Sequence, residues 1–114
     1  MALTLVGVSH ATADIEVRER LAHAPHEVPI TLAAVRDQTG AREGVLLSTC
    51  NRTEIYLVEG EHDATAGAWT ALSTRLGRDA SPYGYVRRER EVVKHLFRVA
   101  SGLDSMILGE TQIQ

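Results

Sequence analysis

Apolar and polar positions alternate with two different periods along the chain, and they predict four strands and four helices. Strands are predicted at 3–9, at 45–47 and 55–58 on either side of a polar stretch, and within the segment "SPYGYVRRER". Apolar residues spaced three and four apart predict the helices. The predicted helices cover residues 11–22, 27–40, 62–77 and 90–103.

The order of these elements is strand, helix, helix, strand, strand, helix, strand, helix. This order predicts an α+β fold in which an antiparallel sheet has its helices packed on one face, of the ferredoxin-like, split βαβ type. A fresh helix signal, with Asp104 or Ser105 as its cap, precedes the apolar residues 106–108 and continues to the last residue. The chain therefore looks like a fragment of a longer protein.

Composition narrows the class of protein. The chain has 114 residues, of which 44% are hydrophobic and 24% charged, as expected for one compact globular domain. Its single cysteine excludes an intrachain disulfide, and no apolar run approaches the ~20 residues that span a bilayer. The first residues lack the basic segment of a signal peptide. These features favour a soluble, cytoplasmic protein.

Charge is distributed unevenly. The formal net charge is −3, yet residues 85–98 contain five basic and two acidic residues. At helical spacing, four of the basic residues form one stripe: Arg87, Arg90, Lys94 and Arg98. Such a stripe is either a solvated helix face or a phosphate-binding surface, and the second interpretation gives a non-catalytic RNA- or protein-binding α+β module as one candidate function.

The only cysteine is the main candidate for chemistry. Cys50 lies in "STCNRT", which is either a tight connection between two strands or a bulge in one long strand, so the cysteine is at the end of an element in both cases. A thiol acts as a nucleophile in its thiolate form, and the unperturbed thiol pKa is about 8.5. Arg52 is suited to stabilise that anion or to bind a substrate carboxylate, and the hydroxyls of Ser48 and Thr49 are donors. The alternative is a packing role at the end of a strand, since free cysteine is often buried.

Histidines are candidate bases for such a thiol. His95 lies at the border of the apolar side of the last helix, and His10, at the end of the first strand, is its main rival. A half-buried structural histidine is the alternative for His95. The sequence has no C-x-x-C or H-x-x-x-H metal motif and no G-x-G-x-x-G or P-loop, so we predict neither a metal site nor a nucleotide site in this chain.

Three blocks together resemble the amino-terminal catalytic domain of the glutamyl-tRNA reductase family. They are "GVSHATADIEVRERLA", "LLSTCNRTEIYLV" and "HLFRVASGLDSMILGETQIQ". The resemblance implies an enzyme of tetrapyrrole (porphyrin and heme) biosynthesis. In that family a cysteine attacks the ester that links glutamate to its tRNA, and NADPH reduces the resulting thioester to glutamate-1-semialdehyde.

The resemblance also implies roles for individual residues. It makes Cys50 the nucleophile and places His95 near the thiol, as a base or a positioning group. The family's substrate contacts fall on two segments, after Ser48 and after Leu103. They are Thr49, Asn51, Arg52, Ser105, Glu110, Thr111 and Gln112.

The same resemblance implies a division of the chain and of the longer enzyme. Residues 1–102 are expected to form the catalytic, glutamyl-tRNA-binding domain, and residues 103–114 the start of the connecting helix. The nicotinamide-binding and dimerisation domains are expected to be absent from this chain, so it should lack the reduction step. NADPH is implied as the cofactor of the full-length enzyme, with no metal. The implied partners are glutamyl-tRNA, a second subunit in a homodimer and the aminomutase that follows in the pathway.

Two other functions remain open at this level. One is the non-catalytic RNA- or protein-binding module, in which Cys50 is structural. The other is an interaction domain for a heme-pathway partner, which leaves the "TCNR" segment unexplained.

Overall fold

A computed structural model describes residues 2–102 of the chain. Eight main elements follow one another in the predicted order, with a short 3-10 turn before α2 and another before β4. They are β1 (Leu3–Ser9), α1 (Ile15–Leu21), α2 (Val28–Thr39), β2 (Glu43–Ser48), β3 (Arg52–Val58), α3 (Thr65–Leu76), β4 (Tyr85–Arg88) and α4 (Arg90–Ala100). The helix start predicted at Asp104 or Ser105 lies outside the described residues.

The four strands form one antiparallel sheet in the order β2-β3-β1-β4. β3 lies between β1 and β2, so the helical connection from β1 to β2 skips one strand position. This is the split βαβ arrangement. The predicted α+β class with a ferredoxin-like antiparallel sheet is confirmed.

One face of the sheet is covered by the first three helices. Successive strand residues point to opposite faces, so alternate residues of β1 and β3 share the main core with α1, α2 and α3. This core includes Val6, Val8, Ile55 and Leu57 from the strands and Val17, Leu21, Val35, Leu72 and Leu76 from the helices. The prediction of helices packed on one face holds for these three.

The fourth helix lies on the other face. α4 contacts β4 and β1, and its His95 hydrogen-bonds Glu54, a residue that alternates with the core residue Ile55. Leu5, Val92 and Val99 are buried outside the main core cluster. The sequence prediction placed α4 on the same face of the sheet as the other helices, because helical periodicity identifies the apolar side of a helix but not the sheet face that this side covers.

No helix within residues 2–102 has the length and apolar character needed to cross a membrane.

Candidate active site

Cys50 lies in the turn that joins β2 to β3, which is one of the two predicted alternatives, since β2 and β3 are separate strands. The Thr49 N–H donates to the Arg52 carbonyl at 2.8 Å, and the Asn51 N–H donates to Thr49 Oγ1 at 3.1 Å. These bonds fix the backbone on either side of the cysteine. The Cys50 side chain is exposed. In the described structure the thiol is therefore available to a ligand and does not fill the core.

An arginine side chain from a distant segment of the chain contacts this turn. Arg18 Nη1 donates to the Cys50 carbonyl at 3.3 Å. Arg18 is held there by α1, whose first turn is capped by Asp14 Oδ1, accepting from the Val17 N–H at 3.1 Å. The sequence analysis did not place Arg18 in the site, because a contact between residues 32 positions apart leaves no local pattern.

The β1–α1 loop lies against the same turn. The His10 N–H donates to the Asn51 carbonyl at 2.8 Å. His10 Nδ1 is buried and makes no hydrogen bond within residues 2–102. His10 therefore remains a rival to His95 as the base, as the sequence left it.

A buried ion pair lies next to the turn along β3. Arg52 and Glu54 are two residues apart, so they point to the same face of the sheet. Arg52 Nη1 and Glu54 Oε2 are 3.2 Å apart, and both side chains are fully buried. Because the interior screens charge weakly, each charge depends on the other for its stability.

Glu54 is the centre of a larger cluster, which we call the Glu54 cluster: Arg52, Glu54, Tyr56, Tyr85 and His95. The Tyr56 hydroxyl donates to Glu54 Oε1 at 2.7 Å. Glu54 Oε2 is hydrogen-bonded to the Tyr85 hydroxyl, to His95 Nε2 and to Arg52 Nη1. Four side chains from three elements thus converge on one carboxylate.

The register of the sheet explains how Tyr85 reaches Glu54. Gly7 of β1 is paired with Glu54 on one side and with Tyr85 on the other. Neighbouring strands are about 4.8 Å apart, so a side chain at position 7 would stand between the other two. A Cβ added to Gly7 would lie 2.8 Å from Glu54 Cγ. The glycine therefore leaves room for the hydrogen bond across β1.

The cluster keeps Glu54 ionised. Burial alone would raise the pKa of this carboxyl, but hydrogen bonds from His95, Tyr85 and Tyr56 outweigh it and hold the pKa below its ordinary value of 4.5. Burial, together with the negative charge of Glu54, raises the pKa of Tyr56 and of Tyr85. Both phenols accordingly stay protonated and act as donors.

His95 connects the cluster to a surface cleft of about 590 Å³. Ser9 and Thr12 line one side of the cleft, and basic residues of β4 and α4, including Arg87 and Lys94, line the other. The only hydrogen-bond partner of the His95 ring among the described residues is Glu54. The nearness of His95 to the Cys50 thiol, which the resemblance implies, stays a prediction.

Within residues 2–102, no three His, Cys, Asp or Glu side chains are grouped so that they could hold a metal ion.

The sequence of residues 6–114 matches the family described as "Glutamyl-tRNAGlu reductase, N-terminal domain". This chain belongs to that family.

Individual glutamyl-tRNA reductases agree with this assignment. The chain is 49% identical to that of Stenotrophomonas maltophilia (strain R551-3) over 113 residues and 44% identical to that of Alcanivorax borkumensis over 114 residues. Each alignment covers 99% of this chain, but 26% and 27% of the relative. The chain thus spans about a quarter of the length of these curated relatives.

A solved structure of the family shares the fold. The glutamyl-tRNA reductase from Methanopyrus kandleri superposes with a TM-score of 0.72 at 33% sequence identity. The match covers 97% of this chain and 25% of that one. The architecture described above is therefore that of the amino-terminal part of a glutamyl-tRNA reductase.

The structure brings together some of the predicted site residues. Thr49, Cys50, Asn51 and Arg52 form one turn, and His95 joins Arg52 through Glu54. Four further predicted contacts of the glutamyl-tRNA reductase family lie outside the described residues: Ser105, Glu110, Thr111 and Gln112. Their roles stay predictions.

The sequence analysis missed Glu54, Tyr56, Tyr85 and Gly7. A signal for Glu54 was present, since residues 52, 54 and 56 are polar at period two and alternate with the apolar residues 55 and 57. Such a pattern normally indicates a solvated face. Only the position of α4 over that face shows that the polar row is buried.

Proposed function

We propose that this chain is the glutamyl-tRNA-binding and thioester-forming part of a glutamyl-tRNA reductase of tetrapyrrole biosynthesis. The observation that carries the proposal is the exposed Cys50 thiol, held in a hydrogen-bonded turn at the family's cysteine block. The fixed turn keeps the nucleophile in one place, and this lowers the entropic cost of attack on a bound ester.

The proposed chemistry is acyl transfer. The Cys50 sulfur attacks the carbonyl carbon of the ester between glutamate and the terminal ribose of the tRNA. A carbon–sulfur bond forms, the carbon–oxygen bond to the ribose breaks, and the ribose oxygen takes up a proton. Arg18 supplies positive charge beside the turn. The family's role for Arg52, contact with the glutamyl carboxylate, requires access to a guanidinium that is fully buried beside Glu54 in this structure.

The described residues do not fit NADPH. Dinucleotide sites of the usual kind need parallel strands, a glycine-rich turn and a helix that begins at the pyrophosphate. All strand pairs in residues 2–102 are antiparallel, and the sequence contains no G-x-G-x-x-G. We therefore derive no reduction step from these residues and expect this chain by itself to form the thioester without yielding glutamate-1-semialdehyde.

Other parts of the proposal rest on the family alone. The assignment of residues 1–102 to the catalytic domain and of 103–114 to the connecting helix belongs here. So do NADPH as the reductant of the longer enzyme, a homodimer, the aminomutase as a partner and a cytoplasmic location.

The first experiment follows the label of radioactive glutamate from glutamyl-tRNA onto the purified chain. We expect protein-bound label that resists acid and is released by hydroxylamine, as a thioester is. Cys50→Ala should abolish it, and added NADPH should give no semialdehyde. Label retained by Cys50→Ala would refute the assignment of the nucleophile, and robust semialdehyde formation would refute the expected lack of reduction.

One observation favours the second candidate, the non-catalytic RNA-binding module. The cleft beside His95 is lined by Arg87, Lys94 and Arg98, which are suited to phosphates. Alkylation of Cys50 separates the candidates. The enzyme should lose ester cleavage on alkylation, whereas a binding module should retain tRNA binding and show no Cys50-dependent cleavage before treatment.

A further inference from the structure

The Glu54 cluster determines which nitrogen of His95 carries a proton. An ionised carboxylate only accepts hydrogen bonds. Glu54 Oε2 is hydrogen-bonded to His95 Nε2, so Nε2 must be the donor and carry hydrogen. In the neutral imidazole, the lone pair is then on Nδ1.

The other ring nitrogen, Nδ1, has no hydrogen-bond partner within residues 2–102, and His95 lines the cleft of about 590 Å³. The side chain is only 11% exposed, so its position is set by packing and by Glu54. A ring packed against Tyr85, with centroids 5.4 Å apart, has little freedom to turn over.

We propose that Glu54 is a positioning residue that holds His95 as the Nε2–H tautomer and thereby makes Nδ1 the atom that carries the proton during thioester formation. The inference rests on the proposed function and assigns a role that the sequence did not indicate. His95 is the catalytic residue in it, and Glu54 acts only through His95.

The step balances as an acyl transfer with an internal proton transfer. Nδ1 accepts the proton of the Cys50 thiol as the sulfur bonds to the carbonyl carbon of the ester. The proton then passes from Nδ1 to the ribose oxygen as the carbon–oxygen bond breaks. No oxidant, reductant or second proton donor is required, and His95 returns to its starting form.

The surroundings of Glu54 suit a fixed orienting group. Tyr56 donates to Oε1, whereas Arg52 and Tyr85, which approaches across Gly7, share Oε2 with His95. With so many donors, the carboxylate cannot rotate without breaking several hydrogen bonds. A carboxylate that orients an imidazole in this way is a recurrent device in nucleophilic catalysis and in metal sites.

The first test determines the tautomer in the unchanged chain. Nitrogen-15 NMR of the imidazole in the purified chain, with His95→Asn used to assign the signals, distinguishes the two tautomers of a neutral ring. We expect His95 to be the Nε2–H form at a pH where the ring is neutral. A predominant Nδ1–H form would overturn the proposal.

The second test is a double-mutant cycle on the rate of label transfer from glutamyl-tRNA to Cys50. Glu54→Gln keeps the size of the side chain and removes its charge, and we expect the rate to fall about 10- to 100-fold. His95→Asn should lower it at least as much. Because Glu54 acts through His95, adding Glu54→Gln to His95→Asn should cause no further loss.

An equal loss from Glu54→Gln in both backgrounds would mean that Glu54 acts independently of His95, against the proposal. Greater dependence of the rate on His10 than on His95, tested with His10→Asn, would also overturn it. Tyr56→Phe is the matched control for the NMR test: it removes the donor to the other carboxylate oxygen and should leave the His95 tautomer unchanged. If Glu54→Gln does not fold, the tautomer of His95 in the unchanged chain still tests the proposal.

The outcomes separate this inference from the proposed function. Label transfer that survives Cys50→Ala defeats the proposed function. Label transfer that requires Cys50 but not Glu54 or His95 leaves the proposed function intact and defeats only the positioning role.

Discussion

Gly7 illustrates how a residue without a side chain contributes to a site. A Cβ at this position would lie 2.8 Å from Glu54 Cγ and 3.0 Å from the Thr53 carbonyl. We expect Gly7→Ala to lower the free energy of unfolding by about 1–3 kcal/mol, as overpacking does. It should also displace Glu54 and slow label transfer to Cys50. Urea denaturation and the transfer assay measure the two effects.

Gly40→Ala is the control for Gly7→Ala. Gly40 has φ +71 and no atom within 4 Å of an added Cβ, so alanine meets only backbone strain there. We expect Gly40→Ala to lower the free energy of unfolding by about 1–2 kcal/mol and to leave the rate of label transfer to Cys50 unchanged. Similar effects of both substitutions on transfer would contradict a specific role for the space at Gly7.

The pair of Arg52 and Glu54 gives a prediction about stability. Arg52→Met removes the positive charge and leaves the buried Glu54 carboxylate without its cation. Breaking a buried pair in this way costs about 3–5 kcal/mol. Arg36→Met is the matched control, because the Arg36–Asp37 pair is exposed and should contribute less than about 1 kcal/mol. Urea midpoints that agree for the two variants would refute the structural importance of the buried pair.

At the scale of elements, the connection from β4 to α4 decides where His95 lies. Glu89 joins the two with φ 51 and ψ −122, and it is the only non-glycine residue with positive φ among residues 2–102. Its N–H donates to the Leu3 carbonyl at 2.9 Å, and its carbonyl accepts from the Val92 N–H at 3.0 Å. This sharp turn takes α4 onto the face opposite α1, α2 and α3.

The strain at Glu89 is testable. Glycine adopts this conformation readily, so we expect Glu89→Gly to raise the free energy of unfolding by about 0.5–1 kcal/mol. Glu89→Ala keeps the Cβ and should bring no such gain. Thermal or urea unfolding of the two variants gives the comparison, and equal stability would show that the backbone at this position is not strained.

At the scale of the whole molecule, acid should destabilise the fold through its paired carboxylates. The pKa of Glu54 is lower in the folded chain than its ordinary value of 4.5. The hydrogen bond from Arg75, with the Ala24 N–H, lowers the pKa of Glu27 to about 2. Groups with depressed pKa values stabilise the fold above their unfolded pKa, and this contribution is lost as pH falls through the folded pKa.

We therefore expect the urea midpoint to fall as pH decreases from about 5 towards 2. In Glu54→Gln the midpoint should start lower and fall less, because one titrating group is gone, while Glu27 still contributes its share. If the urea midpoint falls by the same amount in both proteins, the ionised form of Glu54 does not stabilise the fold.

Much of the fold could be predicted from local patterns. Weak period-two alternation identified β1, a short apolar run before Gly60 identified β3, and helical spacing with Gly40 and Gly77 as stops identified α2 and α3. These signals are local because strands and helices repeat over a few residues. The Cys50 turn was also predicted, since a polar stretch between two apolar runs marks a strand connection.

The face covered by α4 could not be predicted in the same way. Its amphipathic pattern shows that one side is buried, but both faces of the sheet offer apolar residues. The choice depends on the turn at Glu89 and on long-range contacts, neither of which has a periodic signal.

The sequence by itself therefore determined the order of elements, the α+β class, the turn that presents Cys50 and, through the three resembling blocks, the family. Only the tertiary structure decided that Arg18 contacts the Cys50 turn and that Arg52, Glu54 and His95 form one buried cluster. The physical reason is that a buried charge is stabilised by whichever donors the fold brings within about 3 Å of it. In the Glu54 cluster those donors come from β3, β4 and α4, across as many as 41 positions of sequence.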